Sequence, residues 1–256
     1  MEAISNRGSL YIGTSGWSYQ HWAGIFYPGN IPPAQFLEYY FTKFDCVELN
    51  ASFYQLPFKA TVSGWMRRTP ERFRFCTKLS RFITHQKHLA NCEEALKNYF
   101  DRIEGLNPKL GPILIQLPPG FPYDKERFVD FMETLQQQQY GYRFAVEIRD
   151  ESWIRDEFFD LLSRYSVAFV IPDAGGKFPY AEAVTTDFIY LRFHGRKQLY
   201  ATDYTTNDLT CFSEKIQEWL NEGKDVWAFF NNDFGGYSPK NALELKEIMS
   251  ARICEN

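Results

Sequence analysis

Eight short apolar runs recur along this chain, and most end in a charged or amide residue: Leu10–Ser15, Cys46–Phe53, Phe73–Leu79, Gly111–Leu117, Arg143–Arg149, Val167–Asp173, Phe188–His194 and Asp225–Asn232. Runs of this length, separated mostly by helical periodicity, read as strands joined by crossover helices. Eight such units in about 250 residues are the arithmetic of a single (β/α)8 TIM barrel, an α/β fold spanning residues 1–256 as one domain. Barrels of this kind place their chemistry just past the C-terminal ends of the strands, so the run ends name the candidate site.

The intervening segments supply the helices. Pro33–Phe44 carries Phe36, Leu37, Tyr40, Phe41 and Phe44 at helical spacing. A short helix is expected near Ala60–Arg68, and Asn91 is a candidate N-cap for Cys92–Leu106. Asp124 is placed to cap Lys125–Gln137, and the glutamines Gln136–Gln139 close that helix. Glu151–Tyr165 and Leu209–Asn221 follow, the latter stopped by Gly223. Ser238-Pro239 reads as the N-cap and first residue of a last helix running to about Ser250. After the sixth run, Ala174–Asp187 is punctuated by Gly and Pro, so the helix there is weak or missing. The connection Gly16–Pro32, after the first run, is long and aromatic; such loops are more often functional than accidental.

Composition narrows the partners. A net charge of −4 offers no general attraction to nucleic acid or anionic membranes, so an anionic ligand needs a local basic pocket. The five cysteines are scattered without a Cys-x-x-Cys pair, which suits free thiols in a reducing cytoplasm. The N-terminal residues lack the apolar core of a signal peptide, and no stretch is apolar enough to span a membrane.

Strand alternation sorts the run residues into two faces. Val47, Leu49, Phe73, Phe75, Val146, Ile148, Ile189, Leu191 and Phe193 form the apolar face, which must meet the helices. Glu48, Asn50, Arg74, Lys78, Glu147, Arg149, Tyr190, Arg192 and His194 then point inward. Buried charges are costly unless paired, and this set contains both signs. It reads either as a self-satisfied ion network filling the interior or as a working site. The working reading is strongest for the residues nearest the strand ends.

The run ends and the connections beside them also carry motifs. Gly13-Thr14-Ser15-Gly16-Trp17-Ser18-Tyr19 with Trp22, Val47-Glu48-Leu49-Asn50 with Ser52-Phe53-Tyr54, and Gln116-Leu117-Pro118-Pro119 come in the first half. Phe144-Ala145-Val146-Glu147 with Arg149, Tyr190-Leu191-Arg192-Phe193-His194-Gly195 and Phe230-Asn231-Asn232-Asp233 follow. In this order, nearly end to end, the chain resembles the YecE-like (UPF0759-type) family, a domain of unknown function. The resemblance implies a TIM-barrel fold and no established reaction. A likeness of relatives to barrel endonucleases acting at abasic DNA sites is an analogy only. Asp150 stands where the family pattern has His, which removes an imidazole from the neighbourhood of the site.

Three chemistries follow from the residue types. For a small anionic or phosphorylated ligand, Lys78, Arg149 and Arg192 supply charge. Asn50, Asn231 and Asn232 add polar contacts, and Gly235 and Gly236 let backbone N–H groups approach at a helix start. For a divalent metal, Glu48, Glu147 and Asp173 are the candidate ligands; an oxygen-rich set suits Mg or Mn better than Zn. For acid–base chemistry, His194 is the proton carrier, with Glu48 and Glu147 as catalytic or orienting carboxylates. Trp17, Tyr19 and Tyr54 add flat rings suited to a sugar or a base. Gly13–Gly16 is no nucleophile elbow. Together these point to a hydrolase or phosphodiesterase acting on a phosphorylated sugar, nucleotide or nucleic-acid end. The alternatives are a sugar isomerase or epimerase and a non-catalytic ligand- or nucleic-acid-binding barrel.

Overall fold

In the computed structural model, which describes residues 7–137 and 141–254, the apolar runs become eight parallel strands. They are β1 (Leu10–Thr14), β2 (Cys46–Leu49), β3 (Arg74–Thr77), β4 (Ile113–Gln116), β5 (Phe144–Glu147), β6 (Val167–Asp173), β7 (Phe188–Phe193) and β8 (Asp225–Phe230). The second run is a strand only as far as Leu49, because Ala51–Tyr54 forms a helical turn. In order, the helices are α1 (Phe36–Phe41), α2 (Ala51–Tyr54), α3 (Lys59–Arg68), α4 (Glu93–Ile103), α5 (Lys125–Gln137), α6 (Asp156–Arg164), α7 (Thr206–Asn221) and α8 (Tyr237–Cys254). The N-terminal residues 1–6 and Gln138–Gln139 lie outside the described residues.

Caps follow side-chain chemistry where they form. Asp124 Oδ1 accepts from the Arg127 amide, as expected for the start of α5. Thr205 and Asp208 exchange bonds in a capping box at α7. Asn91 is not a cap: its φ is +52°, and Cys92 precedes the first turn of α4. Ser238 is not a cap either, since α8 already begins at Tyr237. No helix forms over 174–187.

The closed eight-stranded barrel expected from the run count is not what forms. Six strands make one parallel sheet in the order β1-β8-β7-β6-β5-β4, and β2 and β3 pair separately. Two local causes interrupt the ladder. Between β1 and β2 stands the hydroxyl of Tyr40, which accepts the Thr14 N–H at 3.0 Å and lies 3.1 Å from the Cys46 carbonyl it donates to. A side chain thus takes the bonds a strand neighbour would have made. Gly13 presses against the same carbonyl; a Cβ there would sit 2.5 Å from Cys46 O. Between β3 and β4 the break is at Pro112. Gly111 donates to Phe75 O, whereas Ile113 donates to Arg143 O on the other side. In a regular strand both N–H groups would face the same neighbour. Only single bridges, Phe75 with Leu110 and Lys78 with Leu114, join the two sides.

The two-face reading of the strands holds. Val47, Leu49, Phe73, Phe75, Val146, Ile148, Ile189, Leu191 and Phe193 belong to the large core under the helices. Cys46, Cys76, Leu114, Ala145, Tyr190, Trp227 and Phe229 form a second apolar cluster on the opposite face. That inner cluster floors the charged residues at the C-terminal strand ends. Among the described residues, no helix is long and apolar enough to cross a membrane.

If Tyr40 closes the β1–β2 seam, Tyr40→Phe leaves the buried Thr14 N–H without its acceptor. A loss of about 1–3 kcal/mol is expected in urea denaturation. No measurable change would show that the seam does not depend on this hydroxyl.

Candidate functional site

Four ionisable side chains converge where β2, β5 and β7 end, all essentially removed from solvent: Glu48, Glu147, Arg192 and His194. Arg192 lies at the centre. Its Nε and Nη2 donate to the two oxygens of Glu48 at 3.0 and 2.7 Å, and its Nη1 donates to Glu147 Oε2 at 2.6 Å. Ser15 Oγ and Tyr190 Oη donate to Glu48 as well, at 2.7 and 2.8 Å. Arg149 Nη2 lies 2.9 Å from Glu147 Oε2, and its guanidinium stacks 3.8 Å over the Phe178 ring.

These contacts fix the protonation states. Burial would push the Glu48 carboxyl up, but Arg192 and the two hydroxyls outweigh it and hold the carboxyl below its ordinary range. Glu147 is held well below its range against the same burial, by Arg149, Arg192 and His194. Burial pushes His194 down to about 4, against the attraction of Glu147. The imidazole is therefore neutral at pH 7, and its hydrogen bonds assign the tautomer. Nε2 lies 2.8 Å from Glu147 Oε1, so it carries the proton. Nδ1 accepts from the Asn231 amide at 3.2 Å.

Lys78, at the end of β3, is the cation on the margin of this cluster. It is 8% exposed. Its Nζ donates to Gln116 Oε1 and lies 4.0 Å over the Phe53 ring. Burial, with Arg192 second, brings the amine down to about 7, against the pull of Glu147 and Glu48.

The remaining expected residues divide. Trp17, Tyr19 and Asn50 come together with Leu49 and Trp65 around a cleft of about 380 Å³ beside the cluster. Tyr19 Oη and Asn50 Nδ2 both donate to Ser15 O, at 2.6 and 3.4 Å, which links the cleft to Glu48 through Ser15. Tyr54 is 71% exposed on the edge of Phe53. Most of the long aromatic connection is packing: Trp22 and Tyr27 are fully buried, and Trp22 Nε1 donates to Asp233 O.

The glycine turn is partly occupied already. Gly236 N–H donates to Asp233 O and Ser238 N–H to Asn232 O. A Cβ on Gly236 would stand 2.8 Å from Ile25. Asn232 is buried, its amide donating to Thr202 O and Asn241 Oδ1, and does not join the cluster. Asp173, the third candidate metal ligand, is engaged by Arg196 Nε at 2.7 Å, away from Glu48 and Glu147. Among the described residues, no three His, Cys, Asp or Glu side chains gather into a metal-holding group. Both central carboxylates already face guanidinium groups, so the donor set does not fit a Mg or Mn ion. Asp150 accepts from Ser152 and caps the short turn Glu151–Trp153.

Sequence reasoning missed four members of the site. Tyr190 was on the inward face, but a phenol carries no charge signal. Ser15 ends the first apolar run and Gln116 stands one residue before the end of the fourth, so both were legible as strand-end residues. Phe178 lies in the helix-free connection after β6, with nothing in the sequence to direct it onto Arg149.

Arg192→Met tests the central tie. Leaving the buried Glu48 without its cation, and Glu147 with Arg149 alone, should cost about 3–5 kcal/mol of folding stability, and adding Glu48→Gln should recover part of it. A fully stable single variant would show that the carboxylates are not paired through Arg192. His194 contributes a pH dependence of definite sign. The unfolded imidazole titrates near 6.5 and the folded one at about 4, so the unfolded chain binds the extra proton between them. Stability should be full above about pH 6.5 and fall towards pH 4. In denaturation curves at pH 7.5 and 5, His194→Gln should lose less stability than the parent; an equal loss would refute the assignment.

A family model described as a protein of unknown function, DUF72, matches residues 11–255. The chain is 27% identical over 270 residues to UPF0759 protein YunF of Bacillus subtilis (strain 168), with 94% of each chain covered. It is 31% identical over 141 residues to UPF0759 protein YecE of Escherichia coli (strain K12), covering 55% of this chain and 48% of YecE. A solved DUF72 family protein from Thermotoga maritima, TM1631, superposes with a TM-score of 0.85 at 33% identity, covering 94% of this chain and 99% of that one. A DUF72 family protein from Enterococcus faecalis, EF0366, shares the fold with a TM-score of 0.78 at 24% identity, covering 94% and 95%. The matched span takes in all eight strands except Leu10 of β1 and the whole charged cluster, and the chain belongs to the DUF72 family.

Proposed function

We propose that this chain is an enzyme acting on a small phosphorylated sugar or nucleotide, by hydrolysis of a phosphoester bond at the C-terminal end of the sheet. The observation that carries this reading is the neutral His194, held by Glu147 beside the Arg149 guanidinium, with Lys78 as a further charge on the margin of the cluster. Glu147 fixes the ring and is ready to stabilise an imidazolium, while Nδ1 is met by the amide of the half-buried Asn231, with Phe178 and Tyr200 packed edge-on against the ring. When Asn231 gives way to a water molecule, Nδ1 accepts a proton from that water. The water oxygen bonds to phosphorus, and the ester oxygen leaves with a proton from solvent. Arg149 meets the phosphoryl charge, since Arg192 is already satisfied by two carboxylates. The cleft between Trp17, Tyr19 and Trp65 suits the flat face of a sugar or base.

An isomerase working through paired carboxylates is less well supported. Glu48 and Glu147 are both held ionised and already hydrogen-bonded, so neither is poised to take a proton at neutral pH. Extended duplex DNA is disfavoured by the acidic net charge. The buried free thiols Cys46, Cys76 and Cys92 suit a reducing compartment such as the cytoplasm.

The test combines binding and turnover. Calorimetry with inorganic phosphate should show binding that Arg149→Met weakens by about tenfold or more. With a panel of phosphomonoesters and diesters, His194→Asn should lower turnover by about 10²–10⁴-fold while phosphate still binds. Absence of phosphate binding to the parent protein, or equal turnover in the His194 variant, would overturn the reading.

A further inference from the structure

The phosphoester reading uses Lys78 only as a charge, yet its surroundings are poorly built for one. A site built to hold a full charge would present a carboxylate, a stronger partner for an ammonium than an amide oxygen or a ring face. Lys78 Nζ instead meets the neutral oxygen of Gln116 and the face of Phe53, and no ion pair is formed by Lys78 among the described residues. The charged groups that act on it come from three strands: Arg192 on β7, Glu147 and Arg149 at the end of β5, and Glu48 on β2. The carboxylates are neutralised by the guanidiniums they touch. His85, on the turn after β3, makes an edge contact with Phe53, ring centroids 4.9 Å apart, and is itself pushed down to about 4 by burial and by Lys78. The amine therefore sits in a site that favours its neutral form, at a strand end, with a little exposure left. A lysine desolvated in this manner beside other cations is the arrangement that makes an amine nucleophilic near neutral pH.

We infer that Lys78 is a carbonyl-capturing nucleophile, condensing through Nζ with the aldehyde or ketone carbon of a small sugar-like compound to form an imine. The inference goes beyond the phosphoester reading, because it requires neither a phosphate nor His194. The amine lone pair bonds to the carbonyl carbon, and the carbonyl π pair moves to oxygen, which takes a proton while nitrogen loses one. The hydroxyl then takes a second proton from solvent and leaves as water, the nitrogen pair closes the C=N bond as an iminium, and loss of the remaining N–H proton to solvent gives the imine. No oxidant or reductant is consumed. Gln116 Oε1, by accepting an N–H of the amine, orients the lone pair away from itself. A phosphorylated aldose or ketose would use both features of the site, its phosphate at Arg149 and its carbonyl at Lys78.

Cyanoborohydride trapping tests this on the intact protein. Dihydroxyacetone and dihydroxyacetone phosphate are each incubated with the protein at pH 7 and the reductant, and the labelled peptides are mapped by mass spectrometry. Hydride reduction of the imine leaves a stable secondary amine on the reacting lysine. Lys78 should label at least about tenfold faster than exposed lysines such as Lys97 and Lys197, with a rate that rises through about pH 7 as the ammonium deprotonates. Lys78→Arg, which keeps a long basic side chain and cannot form the imine, should abolish the fast label. Labelling of Lys78 no faster than of Lys97 and Lys197, with both probes, would overturn the inference. Phosphate binding dependent on Arg149 is read separately, so either proposal can fail without the other. Fast labelling with only the phosphorylated probe supports the inference and adds Arg149 as its anchor.

Discussion

The Arg192 guanidinium is the point on which this structure turns. It is buried, and its N–H groups reach a carboxylate on β2 and another on β5 from its own position on β7. Because β2 and β3 do not share a ladder with the other six strands, this contact ties the separate pair to the main sheet by electrostatics, beside the single backbone bridges from β3 to the β4 segment. A buried ion pair of this kind is weak evidence of net stabilisation, but it is strong in specificity: any other placement of β2 leaves a charge uncompensated.

The same contact sets the chemistry around it. With both carboxylates held ionised, Glu147 has one oxygen left to accept the His194 proton, so the imidazole is oriented and neutral. Arg192 and burial together disfavour a second cation nearby, and Lys78 is the group that yields. A neutral histidine and a nucleophilic lysine thus both derive from the same packed charges, although they lie on different strands. The aromatic cleft joins this set through Ser15, whose hydroxyl binds Glu48 and whose carbonyl receives Tyr19 and Asn50.

Much of this was legible before any coordinates. Strand alternation placed Glu48, Glu147, Arg192 and His194 on one face, and the mixed signs implied mutual pairing. Alternation works because side chains on a strand have only two directions, whatever the strand pairs with. Closure was illegible for the converse reason. Counting strands assumes that neighbours in sequence complete the ladder, but a hydroxyl at Tyr40 and a missing N–H at Pro112 each divert the bonds that closure needs. Asp173 looked like a partner of Glu48 and Glu147 because all three end strands; Arg196, on a loop, takes it elsewhere.

By itself the sequence determined the eight parallel strands, their order in the chain, their two faces and the identity of the buried charges, because these follow from residue type and a fixed backbone period. Which carboxylate meets which cation, which histidine nitrogen holds the proton, that the ladder opens on either side of the β2–β3 pair, and that Lys78 has no carboxylate partner among the described residues were settled by the packing of the fold. Those outcomes depend on distances between segments far apart in the chain, set by how whole elements pack, and no local pattern encodes them.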